Sequence, residues 1–208
     1  RIYMCYLAAN NHTGTKSVDG GTGANNGSNG TIFEEQVNQL PAASAPASIT
    51  QATDGSGHIT FQTTISDNDA EDTRLKVEYS DDNGSTWYDP DLISATPSTG
   101  SVDLDDSQTY QIGTVDAIDT SAASITLTIV WDTQSALNQN GSLDDTDQTD
   151  IMLRVTPNDF EDDGNPSASG AFEVDNLDPS ALANLASSGS TSTTVGLTWT
   201  VASEFNFN

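Results

Sequence analysis

SITLTIVW, residues 124–131, puts Ile125, Leu127, Ile129 and Trp131 on one side of an extended chain and Thr126, Thr128 and Val130 on the other. This strict period of two is the signature of a strand with one face buried. The same alternation recurs on both sides of it. HITFQTTIS, residues 58–66, aligns Ile59, Phe61, Thr63 and Ile65. TRLKVEYS, residues 73–80, turns Leu75, Val77 and Tyr79 inward and Arg74, Lys76 and Glu78 outward. DIMLRVTP, residues 150–157, does the same with Ile151, Leu153 and Val155, and SGAFEV, residues 169–174, supplies a last strand. Asn83-Gly84 after the second of these runs is a tight-hairpin signal, and STWYD then carries Trp87 as a candidate buried aromatic. Two further short strands are expected around Ser101–Leu104 and Thr109–Val115. Strands at this spacing, separated by Gly, Asn, Asp and Ser turns, predict an all-β antiparallel sandwich over residues 46–176.

The flanks read differently. Residues 1–9, RIYMCYLAA, have strand composition, residues 10–31 run through Asn, Gly, Thr and Ser, and 32–40, IFEEQVNQL, fit a short helix or an edge strand. PAASAPAS, residues 41–48, reads as a linker in which Pro41 and Pro46 break regular structure. Residues 1–45 are therefore expected to be an N-terminal strand plus linker, a candidate strand-exchange arm. Residues 177–208 are expected to be a hinge, beginning in DNLDPS, followed by the first strands of a second module, LANLASSG and TTVGLTWTV. The expected fold thus has extra terminal strands, open to completion by a neighbouring subunit through strand donation. Head-to-tail exchange of this kind does not close and yields a homopolymer.

Of 208 residues only 5 are Lys or Arg against 31 Asp or Glu, a formal net charge of −26. Arg1, Lys16, Arg74, Lys76 and Arg154 cannot assemble a basic tract, which argues against nucleic-acid binding and against anionic membrane surfaces. No apolar run reaches membrane-spanning length, so no membrane insertion is expected. Cys5 is the single cysteine, so no intrachain disulfide is expected.

VEYSDDNGSTWY (77–88), IVWDT (129–133), TDIMLRVTPND (149–159) and FEVDN (172–176) together resemble repeats of large bacterial surface proteins, of the fibronectin type III and bacterial immunoglobulin-like class. LANLASSGSTSTTVGLTWTVASEFN (182–206) resembles the opening of a fibronectin type III domain, with Trp199 at its core position. The resemblance implies a spacer, adhesion or assembly role, extracellular or at the cell surface, and brings no catalytic residues. A structural subunit of a filament, pilus-like fibre or surface stalk is the leading expectation. A cell-surface adhesin or carbohydrate-binding module, with Trp87, Tyr88 and Tyr110 as a sugar platform, is the alternative, and a phage or virus fibre component is a third.

Asp greatly outnumbers Glu, and carboxylates gather in the loops, so calcium is the candidate cofactor. In a sandwich one pole collects Asp67, Asp69, Glu71, Asp72, Asp159, Glu161, Asp162 and Asp163. The other collects Asp81, Asp82, Asp144, Asp145, Asp147, Asp175 and Asp178. No EF-hand spacing is present, and Asp is equally a turn residue through its own backbone hydrogen bonds. Asn11, Asn26, Asn29, Asn83 and Asn140 fit the N-glycosylation pattern, with glycans as candidate partners. An enzyme is not expected: His12 and His58 stand apart, Cys5 has no activating base beside it, Glu34 and Glu35 point apart on a strand, and no aromatic-lined cleft is evident around the Asp pairs.

Overall fold

Eight consecutive residue pairs, from His58↔Asp132 to Ile65↔Ile125, join the two most regular strands without a bulge. Because side chains alternate, this register sets Ile59, Phe61, Thr63 and Ile65 opposite Trp131, Ile129, Leu127 and Ile125, so both apolar rows fall on one face. The computed structural model of the chain describes residues 38–178 and 183–200, and in them it is all β, without a helix. In chain order the strands are β1 (Ala42–Ala43), β2 (Ala47–Gln51), β3 (His58–Ser66), β4 (Arg74–Ser80), β5 (Leu92–Pro97) and β6 (Ile125–Asp132). They continue with β7 (Asp147–Asn158), β8 (Ser167–Ala168), β9 (Phe172–Asp175), β10 (Ala183–Ser190) and β11 (Val195–Thr200).

Two antiparallel sheets face each other. One has the order β1-β3-β6-β5, with β2 also on β3; the other has β4-β7-β8, with β9 also on β7. In the second sheet Leu75, Val77 and Tyr79 face Pro157, Val155 and Leu153 across the ladder. A single core of fully or nearly buried side chains fills the interlayer space, drawn from β3 and β6 on one side and β4 and β7 on the other. Tyr79 and Trp131 meet across it with ring centroids 4.8 Å apart. Each such buried apolar side chain contributes roughly 1.5–3 kcal/mol relative to exposure. Trp131 keeps its indole N–H satisfied by Asn138 Oδ1 at 2.8 Å. Asn138 in turn donates to the carbonyls of Asp132, Thr133 and Ser135. One amide thereby closes the β6–β7 loop beneath the largest core residue.

Each sheet has an interrupted edge. β1 and β2 both pair with β3, at Ala42↔Ser66 and Ala47↔Gln62, with a register shift between Ala47 and Thr50. Ser48, at φ 53, sits in that shift. The expected linker 41–48 is thus largely an edge strand, with Pro46 buried between its two pieces. An edge tolerates Pro because one side of the strand needs no ladder donor. β8 and β9 form the matching interrupted partner of β7. Side chains stitch the two edges together: Ser167 Oγ donates to Ala43 O at 2.8 Å, and Gln51 Nε2 donates to Asp175 O at 2.9 Å.

Three sequence expectations change. Ser101–Leu104 and Thr109–Val115 are not strands but parts of a long β5–β6 connection, which meets the second sheet through isolated bridges such as Leu75↔Ile112 and Thr73↔Ile118 and through the Gln111 side chain, bound to the Val77 amide and carbonyl. Asp103 and Asp105 there bind neighbouring backbone amides, which holds turns and prevents extended pairing. β5 itself arises in a stretch whose alternation is too poor to announce it. Trp87 is only half-buried, since it lies against the outward face of the second sheet. The expected strand at 1–9, the linker 10–31, most of 32–40, Cys5, His12, Glu34, Glu35, Asn11, Asn26 and Asn29 lie outside the described residues.

Candidate interaction face

The side chains of β4 that alternate away from the core are Arg74, Lys76 and Glu78, and the register sets them beside Asn158, Thr156 and Arg154 of β7. Arg74, Lys76 and Arg154 are all the cations among the described residues, and they stand on this one face. Glu78 is buried between two of them. Its Oε1 lies 2.8 Å from Lys76 Nζ, and its Oε2 lies 2.7 Å from an Arg154 guanidinium nitrogen. Arg154 Nε donates to the same Oε2 at 2.8 Å, so the pairing is two-pronged. The guanidinium also covers the Trp87 ring, 4.2 Å from its centroid.

Arg74 repeats the arrangement one end further along. Its guanidinium lies 4.1 Å from the Tyr110 centroid and 4.8 Å from that of Phe160, and Nε donates to Asn158 Oδ1 at 2.8 Å. Tyr110 donates its hydroxyl to Asp163 Oδ1, which Asn158 Nδ2 also reaches at 2.9 Å. Burial, the bond to Asp163 and that carboxylate's charge push the Tyr110 phenol up to about 12, against the lowering pull of Arg74. Asp89 is likewise raised, by burial first and by Glu78, while Lys76 acts the other way. The face is close to locally neutral on an otherwise strongly acidic molecule. Trp87 and Tyr110 each present a ring already stacked by a guanidinium, and Tyr88 packs on Tyr79 at 5.8 Å. Trp87 and Tyr110 are therefore fixed parts of the face, while Tyr88 packs inward against the core, and the three do not form an open row.

The acidic loops gather as strand order requires. At one end Glu71 is held above its usual range, by burial first and then by Asp159, Glu161, Asp67 and Asp69 around it. Asp67 Oδ1 accepts from the Asp69 amide at 2.7 Å, and Asp69 accepts from the Gln39 side chain at 2.9 Å. Asp159 Oδ1 accepts from the amides of Glu161 and Asp162, and Asp163 belongs to the Tyr110 network. Asp72 is exposed beside them. At the other end Asp81 accepts from Asn140 Nδ2 at 2.8 Å, and Asp147 pairs across the ladder with Asp175. Asp82 holds the Asn83-Gly84 turn by accepting from Thr86 N and Ser80 Oγ, bonds that lower its pKa. Asp144 and Asp145 lie in the β6–β7 loop, and Asp178 follows β9, all exposed. Among the described residues no three of these carboxylates converge as a group able to hold a metal ion. Asn83 and Asn140 are both exposed; Asn83 forms the turn tip at φ 57.

Sequence reasoning located Arg74, Lys76 and Glu78 on the outward face but missed Asn158, Phe160 and Asn138. Phe160 reaches Arg74 from a left-handed conformation, φ 74, that nothing in its local sequence announces. No family model matches the chain, and neither a curated protein nor a solved structure is found to be similar to it.

Proposed function

We propose that the chain is a non-enzymatic building block of an extracellular filament, pilus-like fibre or surface stalk, built on an immunoglobulin or fibronectin type III-like sandwich. Support for that class comes from the strand order. An interrupted first strand, β3, β6 and β5 in one layer, and β4, β7 and the interrupted last strand in the other, is the arrangement of constant-type immunoglobulin sandwiches.

The observation that carries the assembly reading is the β10–β11 hairpin. Val195, Leu197 and Trp199 alternate onto one face, and the Ala186↔Thr198 register sets Leu185 beside Trp199. These four residues are 65%, 53%, 52% and 59% exposed. A two-stranded hairpin with a bare apolar face is at most marginally stable alone and gains most from further strands. The occupant that fits is a second copy of this chain. No charged residue lies between Asp178 and Glu204, so two bodies of net charge −26 meet least repulsion there.

Electron microscopy and light scattering over a concentration series test the reading. Filaments or oligomers are expected, and Trp199→Ser with Leu197→Ser should abolish them while leaving the sandwich folded. A wild-type chain that stays monomeric at every concentration overturns it. The carbohydrate-binding alternative draws on the aromatic face of β4 and β7. Glycan binding lost in Trp87→Ala, with no assembly in the wild type, would favour it instead.

A further inference from the structure

β4 is the most regular edge of the sandwich. It pairs with β7 from Arg74 to Ser80 without a register shift, and no strand lies on its other side. The remaining edges are poorly suited to strand addition. β1 and β2 are broken around Pro46, and β8 and β9 are separate pieces. β5 carries a shift between Leu92 and Ser94 and ends at Pro97, which has no N–H.

An edge like β4 offers every second N–H and C=O to an incoming chain, yet from Thr73 to Tyr79 each of these groups has a partner. Thr73 N donates to Ile118 O at 3.0 Å, and Thr73 O accepts from Ile118 N at 2.8 Å. Leu75 exchanges the same two bonds with Ile112, at 2.8 and 3.2 Å, and Tyr79 does so with Tyr88, both at 2.8 Å. These partners come from two separate pieces of chain, and the gap between them falls at Val77. The Gln111 side chain fills it. Its Oε1 accepts from Val77 N at 2.9 Å, and its Nε2 donates to Val77 O at 3.0 Å. One carboxamide thus makes the two bonds that the backbone of a neighbouring strand would make. Gln111 is fully buried, the adjacent Ile112 belongs to the core, and the Gln111 carbonyl accepts from Asp105 N at 2.8 Å.

β4 is also matched to itself. Laid antiparallel on a second copy about Val77, it sets Lys76 opposite Glu78 and Leu75 opposite Tyr79. Opposite charges across a ladder stabilise the pairing, and here they offset locally the repulsion that a net charge of −26 imposes between copies. We propose that the β5–β6 connection is a guard on the β4 edge, with Gln111 as its positioning residue, and that the partner it shuts out is β4 of a second copy. The guard stands whether or not the chain assembles through β10–β11.

The test uses the full chain carrying Leu197→Ser and Trp199→Ser, so that contact through the hairpin is not mistaken for pairing at β4. Gln111→Met keeps the side-chain length and removes both bonds. Exchange of the Val77 amide should rise about tenfold or more with the β6 amides unchanged, and light scattering should show dimers where the Gln111 chain is monomeric. Adding Lys76→Glu puts like charges across the ladder and should restore the monomer. Gln111→Glu gives a second reading that does not depend on Gln111→Met folding. At about pH 5 its buried carboxyl is protonated and can both donate to Val77 O and accept from Val77 N; at about pH 8 it is charged and has no proton to donate. Dimers should therefore appear as pH rises, although the growing negative charge of the chain works against association. Unchanged Val77 exchange in Gln111→Met overturns the proposal, and so does faster exchange in a protein that stays monomeric. Dimers that survive Lys76→Glu overturn the pairing of β4 with β4. Dimers in Gln111→Glu that fade as pH rises overturn the guard, since they follow net charge alone.

Discussion

Gly164 shows how one hydrogen atom can decide a packing contact. A Cβ placed there would lie 2.0 Å from the carbonyl oxygen of Pro41 and 2.8 Å from the ring of Pro157. Both obstacles are stiff, so Gly164→Ala is expected to cost about 2–4 kcal/mol in urea denaturation. Gly55→Ala, with no atom within 4 Å and only its φ of 80 to accommodate, should cost about 1 kcal/mol. Asn138 makes the complementary case for a polar side chain. It is 3% exposed and serves Trp131, the Asp91 amide and three carbonyls at once. Asn138→Ala strands the indole N–H in the core, and a loss of about 2–4 kcal/mol with a shift in tryptophan emission is expected. Neither role can be read from sequence. Gly164 sits in an acidic turn and Asn138 in an Asn-rich loop, surrounded by residues of the same type that do nothing comparable.

At the scale of strands, what was legible followed from alternation. The inward rows of β3, β4, β6 and β7 are those that period two assigns, because burial on one face leaves a regular trace in composition. The Asn83-Gly84 turn was also legible, since both residues take positive φ, 57 and 85, but it lies inside a longer loop closed by the isolated Tyr79↔Tyr88 bridge and not in a tight hairpin. β1, β2 and β5 left no such trace. They are edge strands of mostly small or polar residues, in which Leu92 is the one large side chain that is fully in the core. The candidate face was half legible for the same reason: alternation gave the outward cations, but their stacking partners come from loops. The hairpin β10–β11 should differ measurably from the sandwich. Its described side chains are exposed throughout, so in monomeric protein its amides should exchange orders of magnitude faster than those of β3 and β6. Assembly through that hairpin should slow them. Protection of β10 and β11 equal to that of β6 in a dilute monomer would show that the apolar face is already covered.

For the molecule as a whole, the net charge of −26 sets the response to its surroundings. Self-repulsion weakens the compact state and is screened over roughly 8 Å at physiological ionic strength. Thermal melting should therefore rise as sodium chloride is added from about 0.01 M to 0.15 M. A fall would mean that the Glu78 ion pairs outweigh the general repulsion. Assembly should likewise need less protein at higher salt. The path of the chain through the sandwich has a mechanical meaning as well. It enters beside Gly164 and Ser66 and leaves beside Asp147 and Thr146, at the opposite end of the strands. Tension applied to the two ends would pull β1 and β2 along β3, and β9 along β7, loading their hydrogen bonds side by side and not one after another. The Gln51 side chain, bound to Asp175 and Asn176, ties the first strand to the last and so spreads the load across both layers. A module wired in this way yields to traction only when several bonds break together.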